Sequence, residues 1–196
     1  KNLKHKKIRL VSARVLVEDI DPNDWDLFKE RLSNVMGLSS AILMIETKND
    51  LSEMKVAIDY LIAEKTFDSF RVTTKRHYKE FAQTSIEVNV ELGAYIQDKT
   101  KKKVKLSNAD LNIILEILKD KTYVGYNRVI GFSGLPSGSQ EKAISLLSSG
   151  IDSPVASFEM IKRGVNLSFI HFHSYPAVSK QSIDNVKELV KVLTQY

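Results

Sequence analysis

Cysteine does not occur in this sequence, which removes disulfides, thiolate nucleophiles, zinc–thiolate sites and iron–sulfur clusters from consideration. Missing too is any apolar run long enough to cross a bilayer, and this excludes a membrane protein. The basic start, KNLKHKKIRL, lacks the apolar stretch and small-residue cleavage site of a secretory signal and reads instead as the continuation of a helix. There is no GxxxxGK(S/T) phosphate loop, no internal repeat and no low-complexity tract. What is present is ordinary for a globular protein: 43% hydrophobic and 27% charged residues, with a net charge of +5 and a pI near 9.2. That moderately basic balance suits a polyanionic partner without requiring one. The 196 residues are enough for one large domain or a few small ones.

Ile8 to Glu18 alternates as strand material, broken near Ser12 to Arg14. Asn23 or Asp24 then caps a helix carrying Trp25, Phe28, Leu32 and Val35, with Gly37 as its stop, and Ser39 to Thr47 reads as another strand. A second unit opens with a helix capped at Asn49 or Asp50, through Met54, Ala57, Ile58 and Leu61. Ser69 to His77 is a short strand that becomes basic. Thr84 and Glu87 have the spacing of a capping box, and the helix they open has Ile86, Val90 and Ala94 or Tyr95 near one face. Lys101 to Lys103 reads as a loop, and Leu111 to Leu118 with Tyr123 to Phe132 as a pair of strands. Phe132 to Gln140 (FSGLPSGSQ) is the strongest linker signal.

Beyond the linker, Ala143 to Leu147 reads as a buried strand, Ser153 to Arg163 as a helix closed by Gly164, Leu167 to Phe172 as a strand and Ser182 to Leu193 as a helix. This βαβα run is the opening of a doubly wound parallel sheet. Between its first strand and first helix lies Ser148 to Ser153, SSGIDS, where parallel α/β domains present backbone N–H groups to phosphates. Gly150 allows a tight turn, three serines supply hydroxyls, and Asp152 suits a helix cap or a metal ion. Turn chemistry alone fits both a capped strand-to-helix turn and a phosphate site.

A second candidate is Arg71 to Lys79, RVTTKRHYK. Arg71, Lys75 and Lys79 are evenly spaced, so an extended strand puts them on one face beside Tyr78, as a phosphate-tracking surface for RNA. A solvated charged face is the plain alternative.

Leu146 to Gly164, LLSSGIDSPVASFEMIKRG, resembles the SGGxDSPVA…KRG signature of PP-loop ATP pyrophosphatases in the form found in tRNA 4-thiouridine synthetases, and His171 to Pro176, HFHSYP, is similar to that family's second strand and loop. Ser149 stands where the pattern has glycine; a side chain there crowds a phosphate or requires a φ that serine disfavours. RVTTKRHYKEF and ELGAYI are similar to the THUMP RNA-binding module of the same family, and Lys1 to Lys48 resembles the rear of its N-terminal ferredoxin-like domain.

The resemblance implies a mixed α/β and α+β chain, with a partial ferredoxin-like domain over 1–48, THUMP over 49–133, and linker plus truncated start of a doubly wound PP-loop domain over 134–196. It implies that Leu146, Leu147, Ser148, Gly150, Asp152, Ser153, His171 and Phe172 surround ATP, with Asp152 catalytic and Mg²⁺ as helper. Arg71, Lys75, Arg76 and Lys79 would contact RNA. The implied activity is ATP-dependent sulfur transfer to uridine 8 of tRNA in the cytoplasm. Sulfur would come from a cysteine desulfurase or another persulfide donor, with a second role in thiamine thiazole synthesis through a sulfur-carrier protein; a homodimer is left open. Because the family needs a persulfide cysteine, a fragment unable to complete the reaction is expected. The competing expectation is a non-catalytic tRNA-binding protein. A THUMP-containing methyltransferase ranks last, since it calls for a glycine-rich cofactor loop in place of SSGIDSP.

Overall fold

A computed structural model describes every residue except 1–5, 12, 13, 175, 178 and 196. Residues 1–5 of the basic start, the center of the break at Ser12 to Arg14, and Tyr175 of HFHSYP therefore lie outside the described residues; from Lys7 the start is strand and not the expected helix. Backbone packing divides the chain into two compact units, one made of Lys1–Ala41 with Val129–Tyr196 and the other of Ile42–Arg128.

The first unit begins with the antiparallel pair β1 (Lys7–Val11) and β2 (Arg14–Glu18), in register from Lys7 opposite Glu18 to Val11 opposite Arg14. Asp21 accepts from the Asn23 N–H at 2.9 Å and starts a 3-10 turn, Pro22–Asp24, that leads into α1 (Trp25–Ser33). Strand β3 (Ser40–Ala41) is short and pairs with β9 (Val129–Ile130). After the linker come β10 (Lys142–Leu146), α4 (Asp152–Lys162), β11 (Asn166–Ile170) and α5 (Gln181–Leu193). β10 and β11 are parallel, as the βαβα reading requires. Met36, Leu147, Ile161, Val186 and Leu193 form the core of this unit, with Phe132 and Phe158 edge to face against it. Gly164 ends α4 in the left-handed region, at φ +85°, where a Cβ would also lie 2.5 Å from the Ser139 hydroxyl.

The second unit contains a five-stranded sheet. Its strands are β4 (Met44–Thr47), β5 (Ser69–Arg76), β6 (Lys103–Val104), β7 (Leu111–Ile117) and β8 (Thr122–Tyr126), in the order β4-β8-β7-β5-β6. β7, with the sequence LNIILEI, lies at the middle of the sheet and is buried on both faces, hence its nearly unbroken apolar run. α2 (Leu51–Ile62) and α3 (Ser85–Thr100) cover one face, packing Met54, Ile58, Val88, Leu92 and Ile96 on Phe70, Ile113, Leu115 and Val124. Asp50 caps α2 by accepting from the Ser52 and Glu53 N–H groups, and the Thr84–Glu87 capping box is complete at the start of α3.

Four further expectations need correction. The buried face of α3 is Val88, Leu92 and Ile96, while Ile86 and Val90 are 73% and 67% exposed, because helix–sheet packing selects a face displaced from theirs. Ser39 to Thr47 divides into β3 and β4, and the expected loop at Lys101 to Lys103 runs into the edge strand β6. β10 is mostly exposed rather than buried, because β11 is its single neighbor among the described residues.

Candidate nucleotide loop and RNA-facing strand

Residues 148–153 leave β10 and enter α4. The loop is closed by Ser153, whose Oγ accepts the Ser148 N–H at 2.9 Å and lies 3.0 Å from the Ser148 Oγ. The Ser148 Oγ in turn accepts the Gly150 N–H at 3.3 Å. α4 begins without a side-chain cap, so its first N–H groups and its positive dipole end face the exposed loop. A Cβ built on Gly150 would meet only the Ser148 Oγ, at 3.5 Å, so space lies open over the backbone there. Ser149 is exposed, and its φ is not among the positive values of the chain. The conformational objection to a serine at this position therefore does not arise. Asp152 is the first residue of α4, exposed and without a capping bond.

The predicted nucleotide neighbors separate into two groups. Leu146 and Phe172 are exposed, the latter at 78%, whereas the Leu147 side chain is 2% exposed and belongs to the core. Leu147 reaches the site only through its carbonyl, which accepts the His171 Nδ1–H at 2.8 Å. That bond fixes the tautomer and leaves the buried His171 Nε2 as a lone-pair acceptor with no partner among the described residues. Exposed apolar side chains, an imidazole acceptor, hydroxyls and an uncapped helix start suit a base, a ribose and a phosphate chain.

Sequence reasoning missed the support beneath this loop. Ser157, 2% exposed, donates to the Ser153 carbonyl at 2.8 Å and lies 2.8 Å from the Ser145 Oγ, linking helix, loop and strand. Its available signal was the spacing of four residues from Ser153, which puts both on one side of α4.

In the second unit, Phe70 faces the helices, so Arg71, Thr73 and Lys75 lie on the opposite face of β5. Arg76 points the other way and donates to the Phe81 and Gln83 carbonyls at 3.1 and 3.0 Å, which makes it a support of the following loop. Lys79 does not share the strand face. The His77 and Tyr78 N–H groups both bond the Ile117 carbonyl, at 2.8 and 3.2 Å, and the chain turns away after Arg76. On the same sheet, His77 Nε2 lies 2.5 Å from the Glu116 carboxylate.

The sequence profile of the THUMP domain matches residues 48–127, and that of the family described as Thiamine biosynthesis protein (ThiI) matches residues 138–196. A probable tRNA sulfurtransferase of Clostridium acetobutylicum is 35% identical over 178 residues, 90% of this chain and 46% of that protein. Another, from Methanocaldococcus jannaschii, is 35% identical over 198 residues, 97% of this chain and 50% of its own length. The chain is thus similar to the ThiI tRNA sulfurtransferases along most of its own length. It spans about half the length of the curated relatives it matches. Solved structures agree on the fold. A 4-thiouridine synthetase in complex with RNA and bound ATP superposes with a TM-score of 0.77 at 28% identity, covering 96% of this chain and 50% of that one. PH1313 from Pyrococcus horikoshii Ot3 gives a TM-score of 0.83 at 26% identity, covering 99% and 62%. The chain's mixed α/β architecture with a THUMP domain is thus shared with these structures. Among the described residues no helix is long and apolar enough to cross a membrane.

Proposed function

We propose that this chain carries the tRNA-binding and ATP-binding parts of a tRNA uridine 4-sulfurtransferase acting in the cytoplasm. The carrying observation is the Ser148–Ser153 loop, closed on itself by hydroxyl bonds at the uncapped start of α4. In this reading residues 1–48 are the ferredoxin-like part, 49–133 the THUMP domain and 134–196 the linker and the opening of the PP-loop domain. Ser148, Gly150, Asp152 and Ser153 hold the phosphates, Leu146 and Phe172 flank the base, and the His171 Nε2 accepts a hydrogen bond from the nucleoside. ATP supplies the adenylyl group that makes the uridine 8 oxygen a leaving group. The chain's own contribution is to fix the phosphates with preorganized donors. Asp152 is the carboxylate at the loop, in keeping with Mg²⁺ held mainly by phosphates and water. Sulfur arrives as a persulfide from a partner of the cysteine desulfurase class, and the family's name supports a further sulfur-delivery role in thiamine biosynthesis.

The bound ATP and RNA of the 4-thiouridine synthetase structure support this reading. Its test is direct titration of the 196-residue chain with Mg·ATP and with a tRNA transcript, for wild type and Asp152→Ala. We expect both ligands to bind, and Asp152→Ala to weaken Mg·ATP while leaving tRNA unchanged. Binding of tRNA without any binding of nucleotide would favor a non-catalytic RNA-binding protein.

A further inference from the structure

The face of the five-stranded sheet away from the helices is buried at its middle, but at one end it carries a half-buried to exposed row of side chains that crosses four strands. Ser69 pairs with Lys103 and Phe70 with Val104, which puts Lys103 and Lys105 on the same face as Arg71, and the Lys105 N–H bonds the Phe70 carbonyl at 2.9 Å. Arg71 is opposite Asn112 in β7. Asn112 exchanges bonds with Asn127, just after β8: its N–H donates to the Asn127 Oδ1 at 3.0 Å, and its carbonyl accepts the Asn127 N–H at 3.0 Å. Lys105, Arg71, Asn112 and Asn127 therefore follow one another across β6, β5, β7 and the end of β8. At about 4.8 Å per strand the row is about 14 Å long.

The hydrogen bonding within this row has one direction. The Asn112 Oδ1 accepts the Thr73 hydroxyl at 2.8 Å, and the Asn127 Oδ1 is taken by the Asn112 N–H. Each amide oxygen thus already accepts one bond within the row, while each NH₂ group has both its donors left to offer. Arg71 spends one N–H on the Leu106 carbonyl, at 3.1 Å, which anchors the guanidinium and leaves its other donors. The acids nearby are already engaged. Asp110 accepts from the Asp68 N–H and from the Ser69 N–H and hydroxyl, and these bonds, that of the Ser69 hydroxyl foremost, hold its carboxyl below the usual range. Asp68 pairs with Lys102 at 3.2 Å. Lys101, Lys102, Lys103 and Lys105 line a cavity of about 470 Å³ at the same end, with Asp68 and Ser69. The row thus offers donors at each step, cationic at one end and neutral at the other.

The complement of such a row is a chain of acceptors with charge at regular intervals. We propose that it is a track for the ribose–phosphate backbone of one RNA strand, with Lys105 and Arg71 on phosphates and the Asn112 and Asn127 amides on ribose 2′-hydroxyls. This rests on the tRNA-binding reading above and adds to it the residues that distinguish RNA from DNA. Phosphate contacts are blind to the sugar, whereas the 2′-hydroxyl is the group by which a protein tells the two apart.

The test measures binding of the 196-residue chain to a tRNA transcript, a 12-nucleotide single-stranded RNA and the DNA of the same sequence, across a series of salt concentrations. Arg71→Ala and Lys105→Ala are expected to weaken RNA and DNA alike, each lowering the salt slope by about 0.7, the single-strand value for one phosphate. Asn127→Ala is expected to cost about 3–10-fold in RNA affinity, the worth of one neutral hydrogen bond, and to leave DNA unchanged. Asn112→Asp, which keeps the shape and the Thr73 bond, should lower RNA binding more than DNA binding even if Asn112→Ala fails to fold. Wild-type binding that does not distinguish RNA from DNA, or an unchanged preference in both asparagine variants, overturns the 2′-hydroxyl assignment. Unaltered salt slopes in both cation variants overturn the track while tRNA binding stands. Failure of the wild type to bind any RNA overturns the functional reading and the track together.

Discussion

Ser153 and Ser157 are four residues apart on α4, yet substitution of each should fail in opposite ways. In Ser153→Ala the Ser148 N–H loses its 2.9 Å acceptor, but Ser148 is exposed and water replaces it. The stability loss should sit at the low end of a hydrogen bond's range, about 0.5–1 kcal/mol. A hydroxyl that also donates to an ionized phosphate is worth about 1.5–3 kcal/mol to binding, so Mg·ATP affinity should fall about 10–150-fold. Ser157→Ala reverses the pattern. Its two 2.8 Å bonds are shielded from solvent, and their loss costs about 1–1.5 kcal/mol each, offset by about 0.5 kcal/mol of helix propensity gained by alanine. A net loss of about 1.5–2.5 kcal/mol should lower the melting temperature by about 3–10 °C for a chain of this size. Nucleotide affinity should change less than about threefold, since Ser157 bonds the Ser153 backbone and not the loop hydroxyls. Calorimetric melting and isothermal titration with Mg·ATP read the two quantities separately. If Ser153→Ala melts much lower yet binds as wild type, its hydroxyl is a fold staple alone; if Ser157→Ala loses affinity with unchanged melting, the support described beneath the loop is misassigned.

Leu92→Ala in α3 should cost about 2–5 kcal/mol in urea unfolding, because the side chain is fully buried, while Ile86→Ala should stay within about 0.5 kcal/mol; equal effects would contradict the face assigned to α3. Thr84→Ala should cost about 1 kcal/mol through the lost cap, and a melting temperature indistinguishable from wild type would show the box to be idle. The Glu87 carboxyl is held below the usual glutamate range, mainly by the Thr84 backbone N–H and then by its hydroxyl. A depressed folded-state pKa means that its stabilization is complete above the unfolded-state value and is lost as pH falls through the folded one. Wild type should therefore lose more stability on acidification than Glu87→Gln, and parallel melting curves for the two would rule out that linkage.

Local chemistry made much of this legible in the sequence. Asp50, Thr84 and Glu87 announced their helices because capping needs only a few neighboring residues, and SSGIDS was placed by the strand before it and the helix after it. Choices settled by distant packing were not legible. α3 carries apolar residues on two sides, and only the sheet selects Val88, Leu92 and Ile96 over Ile86 and Val90. Leu146 and Leu147 are identical neighbors, and strand parity alone puts one in solvent and the other in the core. The even spacing of Arg71, Lys75 and Lys79 assumed an extended chain, but the fork of two N–H groups on the Ile117 carbonyl ends the strand before Lys79. Asn112 and Asn127 gave no sequence signal, since fifteen residues of hairpin separate partners that the sheet brings together.

The pairing of β3 with β9 puts Ala41 directly opposite Val129. Everything from Ile42 to Arg128 therefore departs from and returns to one rung of a ladder, with its two ends about 5 Å apart. A segment with adjoining ends can be excised and the gap sealed by a short turn, or its own ends joined and new ones opened in an exposed loop, without stretching either part. In genetic terms the sheet and its two helices are a cassette, free to be gained, lost or exchanged while the chain on either side keeps its course.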